Sequence, residues 1–183
     1  MNILVTDYST AIAASHLDDV RLHKAITTVA RLMSNTARHR DFYCKGMLGK
    51  LGGELRDDPI VQWPMLTYVN FMWLADYGIK LIEERAMRFP DARVHKQEQV
   101  IKGLYPFSQN EEVMGNFPPN TEPVIHFVNA AYNHELGINF TDVALPDAYH
   151  HYLAARWRKD ITPPMWTRRD PPIWFVHSKG TPA

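Results

Sequence analysis

The run Met65–Ile82, MLTYVNFMWLADYGIKLI, is apolar on nearly every side. A helix that is apolar all round has to be buried, so the run predicts a central helix that begins near Pro64 and ends near Phe89. Its last turns are polar, and Glu84 and Arg88 are predicted to pair there because residues four apart share a helix face. The rest of the chain is therefore expected to pack as helices around this one.

A second helix is predicted after Asp18 and Asp19, whose negative charges suit a helix start. Its apolar face contains Leu22, Ile26, Val29 and Met33. The opposite face carries polar side chains at spacings of three and four, here named the basic stripe: Arg21, Lys24, Thr28, Arg31, Asn35 and Arg38. Every charge in the stripe is positive, whereas solvated faces usually mix signs. The stripe is therefore either an ordinary solvated face or a binding surface for a polyanion.

The remaining segments predict a mainly α-helical fold with a single compact helical domain over residues 1–183. The apolar letters NILV near the amino terminus predict a short N-terminal strand. Further helices are predicted at 94–104, at 121–136 and at 146–159. The tail, residues 160–183, is rich in Pro, Trp and Arg, and is predicted to run in an extended form that wraps the core.

Composition narrows the classes of function. The chain has 20 Lys plus Arg and 20 Asp plus Glu, which excludes a wholly basic nucleic-acid binder but leaves room for a local basic patch. Cys44 is the single cysteine, so an internal disulfide and a thiolate zinc cluster are excluded. No apolar run approaches the roughly 20 residues of a membrane span, and a cytoplasmic protein is expected.

Acid–base and electrostatic chemistry are the reaction types that the side chains favour. The nine histidines show none of the spacings typical of metal sites, so no metal and no cofactor is expected. Asp19 and Glu84 are candidate carboxylates, and His95, next to Lys96 in the letters VHK, is a candidate proton carrier. Asn70 lies inside the apolar run, where a buried amide needs partners, and a structural hydrogen bond is favoured there over a site role.

Several short motifs resemble, in order, a family of small phage proteins. They are MNILVTD, HLDDVRLHKAITTVARLMS, Trp63, NFMWLADYGIKLIEERAMRF, VHK, LPDAY and PPIWF. The family pattern begins MNIFVxD and HxDKHVVKMxxE, continues as WLxxxxxxLxxEYxxRYGKVHK and ends with MPxxY before a terminal Trp. Its members are described as pyrimidine-dimer DNA glycosylases, similar to the T-even phage repair enzyme. The resemblance spans most of the chain, although each motif is short.

The resemblance implies a helical DNA repair enzyme whose free α-amine attacks the sugar carbon of a flipped, damaged thymine. With a pKa near 8, an α-amine is partly neutral and nucleophilic in a cell. The implied catalytic residues are Met1 as nucleophile, Asp19 or Glu84 as the stabilising carboxylate, and His95. The implied phosphate contacts are Arg21, Lys24, Arg31, Arg88 and Lys96. His16 and Asn70 are left with structural or base-pocket roles.

Two departures from the family pattern keep other functions open. Asn2 is too large for the usual removal of the initiator Met, and Val20 stands where the pattern has Lys. One alternative is an amino acid:DNA transferase that adds an amino acid to activated 5-hydroxymethyluracil in phage DNA. Another is a non-catalytic DNA-binding accessory protein. All three functions predict double-stranded DNA as the partner, a monomeric protein and a location in the host cytoplasm.

Overall fold

The structure, a computed structural model, describes residues 3–49, 57–118, 125 and 127–178. In chain order the helices are α1 (Thr10–His16), α2 (Asp19–His39), α3 (Pro59–Leu66), α4 (Tyr68–Arg88), α5 (Glu98–Leu104), the 3₁₀ helix Tyr105–Gln109, α6 (Glu111–Met114), α7 (Asp147–Lys159) and α8 (Ile173–Ser178). The hairpin strands are β1 (Tyr132–Asn133) and β2 (Ile138–Asn139). The fold is mainly helical, as predicted.

Helix α4 lies at the centre, as the apolar run predicted. It packs against α1, α2, α3, α5 and the 3₁₀ helix. Most of its side chains are buried, including Phe71, Leu74 and Leu81. Burial on every side explains why the run carries so few polar residues. None of the helices among the described residues is long and apolar enough to cross a membrane.

The central helix begins later than predicted, because the helical backbone is interrupted at Thr67. This residue has extended backbone angles, and its hydroxyl accepts a hydrogen bond from the backbone N–H of Asn70 at a distance of 3.2 Å. Side-chain capping of this kind satisfies a free donor at a helix start and favours a boundary there. Pro64 consequently belongs to α3, which has its own cap at Asp58.

Helices α2 and α4 approach each other very closely. The apolar face predicted for α2 is buried, and Val29 from that face reaches Gly78 of α4. A Cβ atom at Gly78 would lie 2.9 Å from carbon atoms of both Val29 and Ile101. Such contacts are well inside van der Waals distance, so glycine is required where α2, α4 and α5 meet.

The predicted N-terminal strand is not formed. Ile3 and Val5 are buried as expected, but residues 3–5 have no regular secondary structure, and within the described residues the only strands are β1 and β2. These pair antiparallel, with Tyr132 opposite Asn139. Nearby backbone groups are satisfied differently, since the Thr6 N–H bonds the Leu4 carbonyl and the Thr6 carbonyl accepts from a histidine. Burial alone therefore does not make this segment a strand.

The tail packs against the helices through aromatic side chains. Residues 161–172 have no helix or strand, and α8 then ends the described part of the tail. Trp157 of α7 lies 5.0 Å from Trp166 and 5.6 Å from Trp174 between ring centroids, and Phe175 is buried against it. Large rings bury much apolar area at once, so they anchor a segment that forms little backbone structure of its own.

Candidate functional site

Arg88, at the end of α4, holds the corner between α1 and α2. Its side chain is fully buried and donates to Glu84 Oε1 at 2.7 Å and to Asp19 Oδ1 at 3.1 Å. It also donates to the backbone carbonyls of Ser15, at 2.9 Å, and Leu17, at 2.8 Å. The predicted Glu84–Arg88 pair is thus confirmed. The buried position does not fit the predicted contact between Arg88 and a DNA phosphate, because the guanidinium has no exposed donor.

The tail supplies the remaining partners of both candidate carboxylates. Arg169 donates through Nε and Nη2 to the two oxygens of Glu84, at 2.5 and 2.7 Å. Thr167 donates its hydroxyl to Asp19 Oδ2 at 2.7 Å, and its backbone N–H lies 3.2 Å from each Asp19 oxygen. Together with Arg88, these residues form a network of two carboxylates and two guanidiniums whose formal charges cancel. In this arrangement neither Asp19 nor Glu84 has an oxygen left without a donor.

His16 lies beside this network, at the end of α1. The indole N–H of Trp174 donates to His16 Nδ1 over 3.4 Å, and Trp174 stacks on His150 with 4.4 Å between ring centroids. Burial lowers the pKa of His16, and the neighbouring His150 lowers it further. His150 in turn donates through Nε2 to the Thr6 carbonyl at 2.7 Å. The pair of histidines therefore fixes the described start of the chain, and the lowered pKa favours the neutral form of His16.

His95 belongs to a different cluster. Its ring centroid lies 6.2 Å from that of His23, which accepts a hydrogen bond from Arg85 Nε at 3.2 Å. Burial lowers the pKa of His95, with smaller contributions from the charge of Arg85 and from His23. Lys96 is exposed beside it. The structure therefore does not bring His95 into direct contact with Glu84 or Asp19, and its role as a proton carrier stays a prediction.

Asn70 has the structural hydrogen bond that the sequence favours. It is buried at the start of α4, and its Nδ2 donates to the Trp63 carbonyl at 2.9 Å. Its Oδ1 has no partner among the described residues. The bond ties α3 to α4 across the break at Thr67. Asn70 does not line the cavity between α2 and α7.

A cavity of about 630 Å³ lies against the basic stripe. Its walls come from α2, α7, the hairpin, the first residues of the tail, and Leu4 from the described start of the chain. The basic side chains that line it are Arg21, Lys24, Arg156 and Lys159. The acidic side chains that line it are Asp18, Glu135 and Asp160. Cations from two helices thus face one recess, with a small positive excess. This recess is the α2–α7 cavity.

Three members of the basic stripe line this cavity, Arg21, Lys24 and Thr28, and the two cations among them differ in their ion pairs. Arg21 is bound by Asp160 at 2.6 Å and by Asp18 at 3.1 Å, so its charge is largely compensated. Lys24 is exposed, and no ion pair involves it within the described residues. Further along α2, Arg31 is exposed in the same way. Lys24 and Arg31 are therefore the stripe residues best placed to attract an external anion.

The far end of the stripe binds the protein itself. Arg38 donates to the Leu48 carbonyl, and Asn35 donates to the sulfur of Met65 at a distance of 3.6 Å. These bonds attach the loop after α2 and the end of α3 to the helix. The far end of the stripe thus fits neither predicted reading, because its side chains bind the protein itself. In the middle of the stripe Lys24 and Arg31 are exposed, and the choice there between a solvated face and a surface for a polyanion stays a prediction.

Trp157 connects the α2–α7 cavity to His16. Its indole N–H donates to Asp18 Oδ1 at 3.0 Å, on the cavity wall, and its ring stacks on Trp174, which contacts His16. Leu4 forms part of the same wall, while Thr6 is held by His150. The described start of the chain therefore runs from the cavity to the histidine pair. Met1, the predicted nucleophile, lies outside the described residues.

Sequence reasoning missed the residues that complete the charged network around Arg88, the histidine pair and the α2–α7 cavity. Thr167, Arg169, His150 and Arg156 come from α7 and the tail, more than 60 positions from the residues in the first half of the chain that they contact or face. The one available signal was the abundance of Pro, Trp and Arg in the tail. Among the described residues, no group of three or more His, Cys, Asp or Glu side chains is arranged to hold a metal ion.

The chain was compared with family models, with curated proteins and with solved structures, and it matches none of them. The geometry on its own defines a helical protein with a cation-lined cavity beside the described start of its chain.

Proposed function

We propose that the protein is an enzyme that binds double-stranded DNA and acts on an extruded thymine-derived base. The observation that supports this most directly is the α2–α7 cavity. Its volume of about 630 Å³ lies within the range of roughly 300–1,000 Å³ typical of small-molecule sites. Lys24 and Lys159 are exposed at its walls, where they would attract the phosphates flanking an extruded nucleotide.

Base excision by a glycosylase is the activity we favour, because the cavity wall includes Leu4, only three residues after Met1. In that reaction an amine of the protein attacks C1′ of the sugar and the bond to the base breaks, with one amine proton passing to the departing base. The ring C1′–O4′ bond then opens, O4′ takes up the second amine proton, and an imine joins protein and sugar. Neutral His16, which lies beside the described start of the chain, would take up a proton during the attack. The resemblance to phage pyrimidine-dimer glycosylases supports the same activity.

One observation favours a second activity, the transfer of an amino acid to activated 5-hydroxymethyluracil in DNA. Both Asp19 and Glu84 have all their oxygens engaged by Arg88, Thr167 and Arg169. A glycosylase needs a carboxylate to stabilise the charged sugar, and with these two engaged only Asp18, Glu135 and Asp160 of the cavity wall could serve; a transferase using the same base pocket needs none. The two activities share the DNA surface and differ in the covalent step.

Reductive trapping separates these activities. With DNA containing pyrimidine dimers, sodium borohydride is expected to convert the imine into a stable protein–DNA adduct. The matched control is the same protein with its α-amine acetylated, which should form no adduct. No adduct with the unmodified protein, together with release of pyrophosphate from pyrophosphorylated hydroxymethyluracil DNA and a mass change equal to loss of that pyrophosphate and gain of the amino acid, would establish the transferase instead. If neither product formed and the protein still bound DNA, the result would indicate a non-catalytic DNA-binding protein.

Replacing Lys24 with glutamine tests the DNA surface separately from the chemistry. Because each phosphate contact releases counterions, the loss of one should weaken binding and reduce the magnitude of the slope of log affinity against log salt by about 1. Lys102→Gln is the control, since Lys102 is exposed on α5 away from the cavity and should leave that slope unchanged. Fluorescence anisotropy at a series of salt concentrations measures the affinity and the slope for each variant. Equal slopes for the two variants would remove Lys24 from the DNA surface.

A further inference from the structure

Ile161 is the most exposed large apolar side chain among the described residues, with a relative exposure of 103%. Single exposed apolar residues are common on proteins and need no explanation. Ile161, however, lines the α2–α7 cavity, and a second exposed apolar residue, Val20, lines it as well. Two apolar side chains therefore stand among the cations at one recess.

The segment that carries Ile161 is held on both sides. The preceding residue, Asp160, accepts a hydrogen bond from Arg21 at 2.6 Å. On the other side come Pro163 and Pro164, whose rings restrict the backbone, and then Met165, whose carbonyl accepts from the Asp19 N–H at 2.9 Å. A side chain presented by a fixed backbone loses little conformational entropy when it is buried by a partner.

We propose that Ile161 is a wedge that enters the base stack of duplex DNA next to the nucleotide extruded into the α2–α7 cavity. The surrounding charge selects this partner, because Lys24, Arg156 and Lys159 line the same cavity and attract a phosphate backbone. Proteins that open a duplex insert apolar side chains, isoleucine among them, between base steps. The wedge fills the gap left by the extruded base and slows its return.

This inference rests on the proposed function, since a wedge has a role only where a base is extruded. It involves no covalent step, so it applies equally to a glycosylase and a transferase. It also explains why an apolar side chain is kept in solvent next to charged residues, where it adds nothing to the folded state. The apolar contact is made only when DNA is bound.

The test uses a duplex that contains a thymine dimer, with 2-aminopurine opposite it. Unstacking raises 2-aminopurine fluorescence, so wild-type protein should increase the signal. Ile161→Ala should reduce both the signal and the affinity for this duplex, the affinity by about tenfold, which is the loss expected for one buried aliphatic side chain. Affinity for a single strand of the same sequence should stay unchanged, because no stack has to be opened. Ile161→Leu, which keeps the apolar volume, should restore the wild-type signal.

The control is Ile173→Ala, since Ile173 has the same side chain, is 72% exposed in the same tail and does not line the cavity. Because Ile161 is fully exposed, its replacement leaves the fold intact. A wild-type signal from Ile161→Ala, or an equal loss of affinity for the single strand, would overturn the wedge while leaving the proposed function standing. If wild-type protein bound neither the duplex nor the single strand, the proposed function would be overturned, and the wedge with it.

Discussion

Replacing Arg88 with methionine is expected to lower the free energy of unfolding by about 3–5 kcal/mol. The substitution removes the fully buried guanidinium and leaves Glu84 and Asp19 with only their tail partners, Arg169 and Thr167. It also leaves the carbonyls of the α1–α2 corner without a donor. A buried carboxylate that loses its partner carries a large desolvation penalty, which is why this loss exceeds that of a typical substitution. Urea denaturation followed by circular dichroism measures it.

The matched control for this measurement is Arg31→Met. Arg31 is an exposed arginine on α2, and no hydrogen bond or ion pair involves it within the described residues. Its replacement should change the free energy of unfolding by no more than about 0.5 kcal/mol. If Arg88→Met destabilised the protein as little as this control does, the buried network would not hold the corner between α1 and α2.

Replacing Trp157 with alanine is expected to cost about 3–5 kcal/mol and to release the tail. The Trp157 ring is buried against Trp166, Trp174 and Phe175, and its N–H bonds Asp18. Without it, the aromatic residues of the tail lose their common contact. Limited trypsin digestion followed by mass spectrometry should then detect rapid cleavage in the tail at Arg168 and Arg169.

Trp157→Phe distinguishes the two contributions of this residue. Phenylalanine keeps an aromatic ring against the tail but cannot donate to Asp18, so a smaller loss of about 1–2 kcal/mol is expected, with the tail still resistant to trypsin. If the tail in Trp157→Ala were cleaved no faster than in wild type, the tail would be held by its polar contacts alone.

Local patterns in the sequence predicted the centre of the fold. The apolar run and the spacing of Glu84 and Arg88 depend only on helical periodicity, and both appear in α4. The break before α4 could not be predicted in the same way. At Thr67 a single capping hydroxyl competes with the helical preference of an apolar run, and periodicity does not indicate which effect is stronger.

The helix predicted at 121–136 is wrong in its described part, which contains irregular backbone and strand β1. Asparagine side chains explain the difference. Asn129 donates to the carbonyls of Phe140 and Val143 and accepts from the Ala131 N–H, while Asn133 accepts from the Leu136 N–H. Such bonds give the backbone partners that a helix would otherwise supply.

Only half of the candidate site, the part on α2 and α4, could be predicted from the sequence. The members on α2 and α4 follow from one amphipathic stripe and one pair of residues four apart. Their partners Thr167 and Arg169 lie 148 and 85 positions away along the chain. A single sequence shows that the tail is basic and aromatic, but only the packing of Trp157 against the tail determines which residues meet. Longer-range pairing of this kind has no local signal.

The close approach at Gly78 bears on how the α2–α7 cavity would respond to a ligand. Val29 and Ile101 leave no room for even a methyl group there, so α2 packs directly on the backbone of α4. The helix that carries Lys24 therefore has a close contact with the helix that carries Arg88. An anion that bound at α2 would meet a helix already supported by this contact, which would reduce the part of its binding free energy spent on ordering the site.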